Sequence, residues 1–307
     1  MTPHQVLEAA RAGDPEGLGA ERDAVADAVD YFAKAGDAAS ALELAGRCWR
    51  LWFSRGEIDQ GTAVVTTALS VPAGTAAPRW QVRTLYADGL FAFRIGDQAR
   101  SRASNEKALH IARQTGDVRG ECDALTGLAR VALRDGRYGE VIALARRARD
   151  LAMDADDKEA GAAPLHLQAA GTRLEGDYAA ARELYLQSLQ LNTELDNRAW
   201  VGMELHNLGW VELHLGNVEA AKARFRQRDE AGITEAYGEA WTELNWSAVA
   251  VAESDIAEAR RRFAIGSGAL DRLGRALDPD DLAELEWLGK QVREEGKSPG
   301  RRLADST

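Results

Sequence analysis

Apolar and small side chains recur along this chain at helical spacing, in blocks of about fifteen residues that each close on a glycine. Gly56, Gly96, Gly136, Gly176 and Gly216 stand 40 residues apart, and each is followed by a polar turn residue: Glu57, Asp97, Arg137, Asp177 and Asn217. A second helical pattern follows each turn, as in GDYAAARELYLQSLQL and GNVEAAKARFRQR. Glycine adopts the left-handed conformation that closes a helix, so each unit reads as a helix hairpin. Gly116-Asp117, Asp156-Asp157 and Asp196-Asn197 repeat with the same period where one hairpin must join the next. A sixth unit follows at a spacing of 38, with Ala259 and Phe263 aligned to Ala221 and Phe225 and a turn reading SDIAEA. The pattern predicts an all-α chain of stacked hairpins. Its parts are N-terminal capping helices over 1–36, about six hairpins over 37–277, a C-terminal capping helix over 278–296 and a disordered tail over 297–307.

Composition agrees with helices and narrows the partners. The chain has 307 residues, is 45% hydrophobic and carries 49 acidic against 38 basic side chains, a net charge of -11. That balance argues against sequence-independent nucleic-acid binding unless a basic stripe is segregated on one face. The start, MTPHQVLEAARAGDPEG, lacks the apolar core of a signal peptide, and no stretch approaches the roughly 20 apolar residues of a membrane span. A cytoplasmic chain without membrane contact is expected. Cys48 and Cys122 lack ligand-like spacing and read as packing residues.

Two of the repeats carry a family pattern: "LQAAGTRLEGDYAAARELYLQSL" and "NLGWVELHLGNVEAAKARF". They resemble the tetratricopeptide repeat, with Ala169, Gly176, Tyr178, Ala181 and Tyr185 in the first and Gly209, Gly216, Ala221 and Phe225 in the second. The match is weaker in the third repeat (Val141) and the second (Ser101, Asn105). That resemblance implies a right-handed superhelical solenoid with a concave groove. The border segments LGAERDAVADAVDYFAKAGDAASALELAGRCWRLWFSRG and ARRRFAIGSGALDRLGRALDPDDLAELEWL are similar to those of the C-terminal repeat region of actinobacterial ATP-binding transcriptional regulators of the LuxR type. Neither a phosphate loop nor a DNA-reading motif is seen: before Gly296-Lys297-Ser298, residue 291 is glutamine where a phosphate loop needs glycine. What the resemblance implies is a sensing or docking solenoid, with no cofactor.

Numbering each repeat so that its glycine is position 15 separates two faces at 100° per residue. Positions 4, 7, 8 and 11 are apolar or small and pack within the hairpin. Positions 2, 5, 9, 12 and 13 line the groove in the resembled family. Over five repeats that second set holds six arginines and three histidines against two acids, Glu43 and Asp123. Candidate groove residues are Arg83, Tyr86, Phe93, Arg94, Arg130, Arg134, His166, Arg173, His206, Trp210 and His214. Arginine beside aromatic rings binds carboxylates or phosphates while burying apolar surface, so an acidic peptide or protein segment, or a small anionic effector, is the expected partner.

The stretch LHNLGWVELHLGN, residues 205–217, raises the question of a metal or catalytic site. His206 and His214 are eight residues apart, about 12 Å of helix rise, too far to share one metal ion. No metal site is expected. Glu212 sits on the packing face, where other repeats have Trp52, Ala92, Ala132 and Thr172; pairing with Arg228, or reaching solvent where the last hairpin splays, is the plain explanation. The leading reading is a noncatalytic recognition module. The alternative is a helical-repeat enzyme of specialised metabolism with a pocket near His166, His206, Trp210 and Glu212, in which Glu212 is a general base or ligand anchor beside His206, the two being its catalytic candidates. A third reading is a scaffold that forms a homodimer through its convex or end surface.

Overall fold

A computed structural model describes residues 1–13, 18, 21–72, 77–231, 235–274 and 277–294. Sixteen helices and no strand occur among them. The chain divides into two compact units, residues 1–131 with 147–160, and residues 132–146 with 161–307. Helices α1 (Pro3–Ala12), α2 (Arg22–Lys34), α3 (Ala38–Cys48), α4 (Arg50–Phe53), α5 (Ile58–Leu69), α6 (Pro78–Arg94) and α7 (Gln98–Thr115) belong to unit 1. Helices α8 (Val118–Arg134), α9 (Tyr138–Asp154) and α10 (Lys158–Leu174) contribute residues to both. Unit 2 holds α11 (Tyr178–Glu194), α12 (Arg198–His214), α13 (Val218–Glu230), α14 (Ala236–Ala252), α15 (Ile256–Leu273) and α16 (Pro279–Glu294).

The turn chemistry explains the period. At Gly176, φ is 92°, a left-handed value that costs glycine nothing, and the next amide, Asp177 N–H, donates to the Thr172 carbonyl at 3.2 Å. Asp177 then caps the following helix, its side chain accepting from Ala180 N–H at 3.0 Å. Glycine and polar residue are thus two halves of one connection. The degenerate sixth turn keeps the same geometry without glycine: Ser254 has φ 63°, and Asp255 accepts from Glu258 N–H at 3.1 Å. In the hairpin of α12 and α13, a Cβ at Gly209 would run into the Phe225 ring, so the small residue is what lets the helices approach.

Each unit has its own core. In unit 1, Phe32, Leu42, Leu44, Trp52 and Phe91 pack together with Cys48. In unit 2, Trp210, Leu213, Phe225, Trp241, Leu244 and Leu288 form one cluster. Cys48 and Cys122 are both buried and unbridged, and burial pushes each thiol up to about 12. No helix of the described residues is long and apolar enough to cross a membrane. The segment 297–307, expected to be a disordered tail, lies outside the described residues; the expected C-terminal helix is α16, Pro279–Glu294.

Candidate functional site

Unit 1 gathers guanidinium groups around two tryptophans. Arg47, Arg79 and Arg83 lie 4.5, 5.6 and 5.7 Å from the Trp80 ring centroid, and Arg50 lies 4.6 Å from that of Trp49. Arg47 is paired with Glu43 at 3.0 Å, as is Arg11 at 2.7 Å. Arg50, Arg79 and Arg83 make no ion pair within 4 Å among the described residues; the carboxylate whose field reaches Arg83 and Arg50 is Asp123. Burial lowers the pKa of Arg83; Asp123 opposes this, while the positive fields of Arg50, Arg119 and Arg79 lower it further. Burial likewise raises the Asp123 carboxyl, against the pull of Arg119, Arg83 and Arg50. Asp123 is itself paired with Arg119 at 3.4 Å, so its charge is shared and it is a weak counterion for the cluster. A surface of stacked, mutually repelling guanidiniums favours an added anion.

The other unit 1 candidates are engaged within the fold. Tyr86 and Phe93 are buried, each 9% exposed. Arg130 donates to the Tyr86 hydroxyl at 3.1 Å, and Arg94 sits 5.2 Å from the Phe53 centroid.

In unit 2 every candidate arginine and histidine has a carboxylate, and most of those carboxylates come from one helix. Arg173 is only 1% exposed and reaches Asp280 at 3.1 Å and Glu284 at 3.6 Å, while donating to Asn207 Oδ1 at 3.0 Å. His206 lies 3.4 Å from Asp281, His214 2.8 Å from Glu284, and Arg134 3.6 Å from Asp278. Tyr237 hydrogen-bonds Asp281 through its hydroxyl. His166 pairs instead with Glu204 at 3.0 Å, which also accepts from Ser188 at 2.7 Å. Burial alone would lower the His166 pKa, but the charge and hydrogen bond of Glu204, with Asp280 behind it, raise it above the ordinary imidazole value.

Trp210, placed on the open groove by register, is fully buried. The physical reason is α16: its Trp287 ring lies 6.0 Å from Trp210 and 5.0 Å from His214. On the other side of Trp210, Nε1 donates to Asn245 Oδ1 at 2.9 Å and Trp241 packs edge-on at 6.3 Å. The expected Glu212–Arg228 pair is a correction. Glu212 is paired with Arg182 of α11 at 2.9 Å and accepts from Asn217 at 2.8 Å. Arg228 turns towards α14, donating to the Gly238 carbonyl and the Thr242 hydroxyl at 2.9 Å each. Glu212 and His206 share no partner among the described residues: Glu212 pairs with Arg182, and His206 with Asp281. Sequence reasoning missed Glu204, Asp280, Asp281 and Glu284. The available signal was the acidic run Asp278 to Glu284 at the start of a helix, read only as a cap.

No protein-family model matches the chain, and no curated protein matches its sequence. Solved structures do match. The apo form of RapI is similar with a TM-score of 0.63 at 9% identity, covering 82% of this chain and 91% of its own. NprR, solved in complex with its cognate peptide NprX, gives 0.59 at 14% identity, covering 84% and 73%. A Rap protein complexed with competence and sporulation factor gives 0.58 at 11%, covering 88% and 80%. These likenesses show the fold: an all-α helical-repeat solenoid. At such identity they speak for architecture alone.

Proposed function

We propose that this chain is a noncatalytic recognition module of a regulatory pathway, and that unit 1 holds an acidic peptide or protein segment against Arg50, Arg79, Arg83 and Trp80. The observation that carries this reading is the set of guanidiniums stacked on tryptophan with one weak counterion, Asp123. Arginine on an aromatic ring keeps its donors in a fixed fork for a carboxylate while the ring buries apolar surface. NprR and a Rap protein, similar in fold, were solved with a cognate peptide and with competence and sporulation factor, which supports the reading by analogy. The resemblance to the repeat region of LuxR-type regulators supports a regulatory setting.

A fluorescein-labelled hexaglutamate peptide carrying one tryptophan is the probe. Titrated into the full chain, it is expected to bind with a salt-dependent affinity that falls about tenfold or more in Arg50→Glu/Arg83→Glu. Equal binding by wild type and variant, or none by either, would remove the unit 1 face as the recognition surface.

A further inference from the structure

The acidic face of α16 repeats at helical spacing. Asp280, Glu284 and Trp287 stand at i, i+4 and i+7, with Asp281 next to the first, so one side of the helix carries carboxylates and then an indole. Arg173, His206 and His214, an arginine and two histidines that the sequence register assigns to ligand recognition, are what this side meets. The surface that register reserves for a foreign acidic ligand is covered by an acidic segment of the chain itself.

The seat is not built like a permanent core. In the first half of α16, Asp280 and Asp281 crowd together at Arg173 and His206 and Leu282 is 45% exposed, with Leu285 only partly buried against the unit 2 core. Burial first, then Asp281, push the Asp280 carboxyl above its ordinary range despite Arg173 and His166. Removing paired charges from water offsets much of what the pairs return, so such a seat is open to a competitor of the same chemistry. The second half differs. Leu288 and Val292 are buried, and Arg260 Nε donates to the Val292 carbonyl at 2.8 Å, which fastens that end of α16 to α15.

We infer that α16 is an internal acidic ligand of unit 2, and that the face it covers receives in trans an amphipathic acidic helix of a protein partner, with carboxylates at i and i+4 and an aromatic at i+7. This assignment does not rest on the unit 1 reading: it uses other residues and another probe, and either can fail alone.

The probe is a labelled synthetic peptide of residues 277–294, titrated by anisotropy into the full chain and into Asp280→Lys/Glu284→Lys. The wild-type face is open only in the fraction of molecules whose own helix has left, which weakens its apparent affinity by that fraction. The variant is therefore expected to bind about tenfold more tightly or better, and a peptide carrying the same two lysines is expected not to bind it. Amide exchange over 279–294 should be faster in the variant while α12 and α14 are unchanged. Faster exchange without tighter peptide binding would overturn the assignment, as would exchange that does not change. Should the variant lose its helical circular dichroism, exchange in wild type decides: residues 279–294 opening well before α14, and sooner at high salt, supports the inference, and protection equal to that of α14 contradicts it. A wild-type dimer that exchanges α16 between copies would assign the face to a second copy and overturn the partner proposed.

Discussion

Unit 1 and unit 2 each set nitrogen-rich side chains beside aromatic rings, arginines alone in unit 1 and arginine with histidine in unit 2, and satisfy them differently. In unit 2, Arg134, His166, Arg173, His206 and His214 each meet a carboxylate, four of them on α16 or the residue before it. In unit 1, Arg50, Arg79 and Arg83 stack on Trp49 and Trp80 without an ion pair within 4 Å among the described residues, and the field of Asp123 reaches Arg50 and Arg83. Charge patterning along a helix marks a face that attracts acid. Whether the acid is internal depends on a segment that sequence separation hides.

The sharpest way to break the comparison is to remove the aromatic at each face. Trp210→Ala takes away a fully buried indole packed between Trp241 and Trp287 and should cost about 3–5 kcal/mol in urea unfolding. Trp80→Ala, at a half-buried ring, should cost well under half of that; equal losses would mean that the unit 1 face is core. Charge deletion is the next contrast. Arg173→Met strands Asp280 and leaves Glu284 with His214 alone, and the chain should answer by releasing α16, seen as a loss of about 2 kcal/mol or more and fast exchange over 279–294. Arg83→Met relieves repulsion from Arg50, Arg119 and Arg79 and should stay within about 0.5 kcal/mol of wild type.

Protonation gives a finer test within unit 2. The folded chain raises the His166 pKa above the unfolded value of about 6.5, so its stabilising contribution is full below that value and is lost as pH rises through the folded one. Urea midpoints should therefore fall with pH across this window more steeply in wild type than in His166→Gln; parallel profiles would contradict the Glu204 pairing. A small effect on binding belongs to Asp123→Asn in unit 1. Losing this partial counterion should tighten hexaglutamate binding by only about twofold to fivefold at low salt. Weaker binding would make Asp123 a ligand contact.

The period, the turns and the hairpins were legible in the sequence because each rests on a local requirement. Gly176 must reach positive φ, Asp177 must cap, and Gly209 must make room for Phe225. That Arg173, His206 and His214 share a side was legible, since 100° per residue fixes it, whereas Arg79 and Trp80 of the unit 1 cluster fell outside that register. What was not legible was long-range partnership. Glu212 met Arg182 of the preceding hairpin in place of Arg228, because register on one helix does not say which neighbour a side chain will face. The burial of Trp210 and the pairing of Arg173 depend on α16, more than 70 residues further on, and no periodicity links them.

The central claim is that unit 1 offers an open cationic face while that of unit 2 is held by its own helix. Amide exchange of the full chain, with and without the tryptophan-tagged hexaglutamate peptide, tests it most directly. The account predicts slower exchange on adding peptide across residues 46–50 and 79–86, with α16 remaining in place. No change in those segments, or protection confined to unit 2, would contradict it.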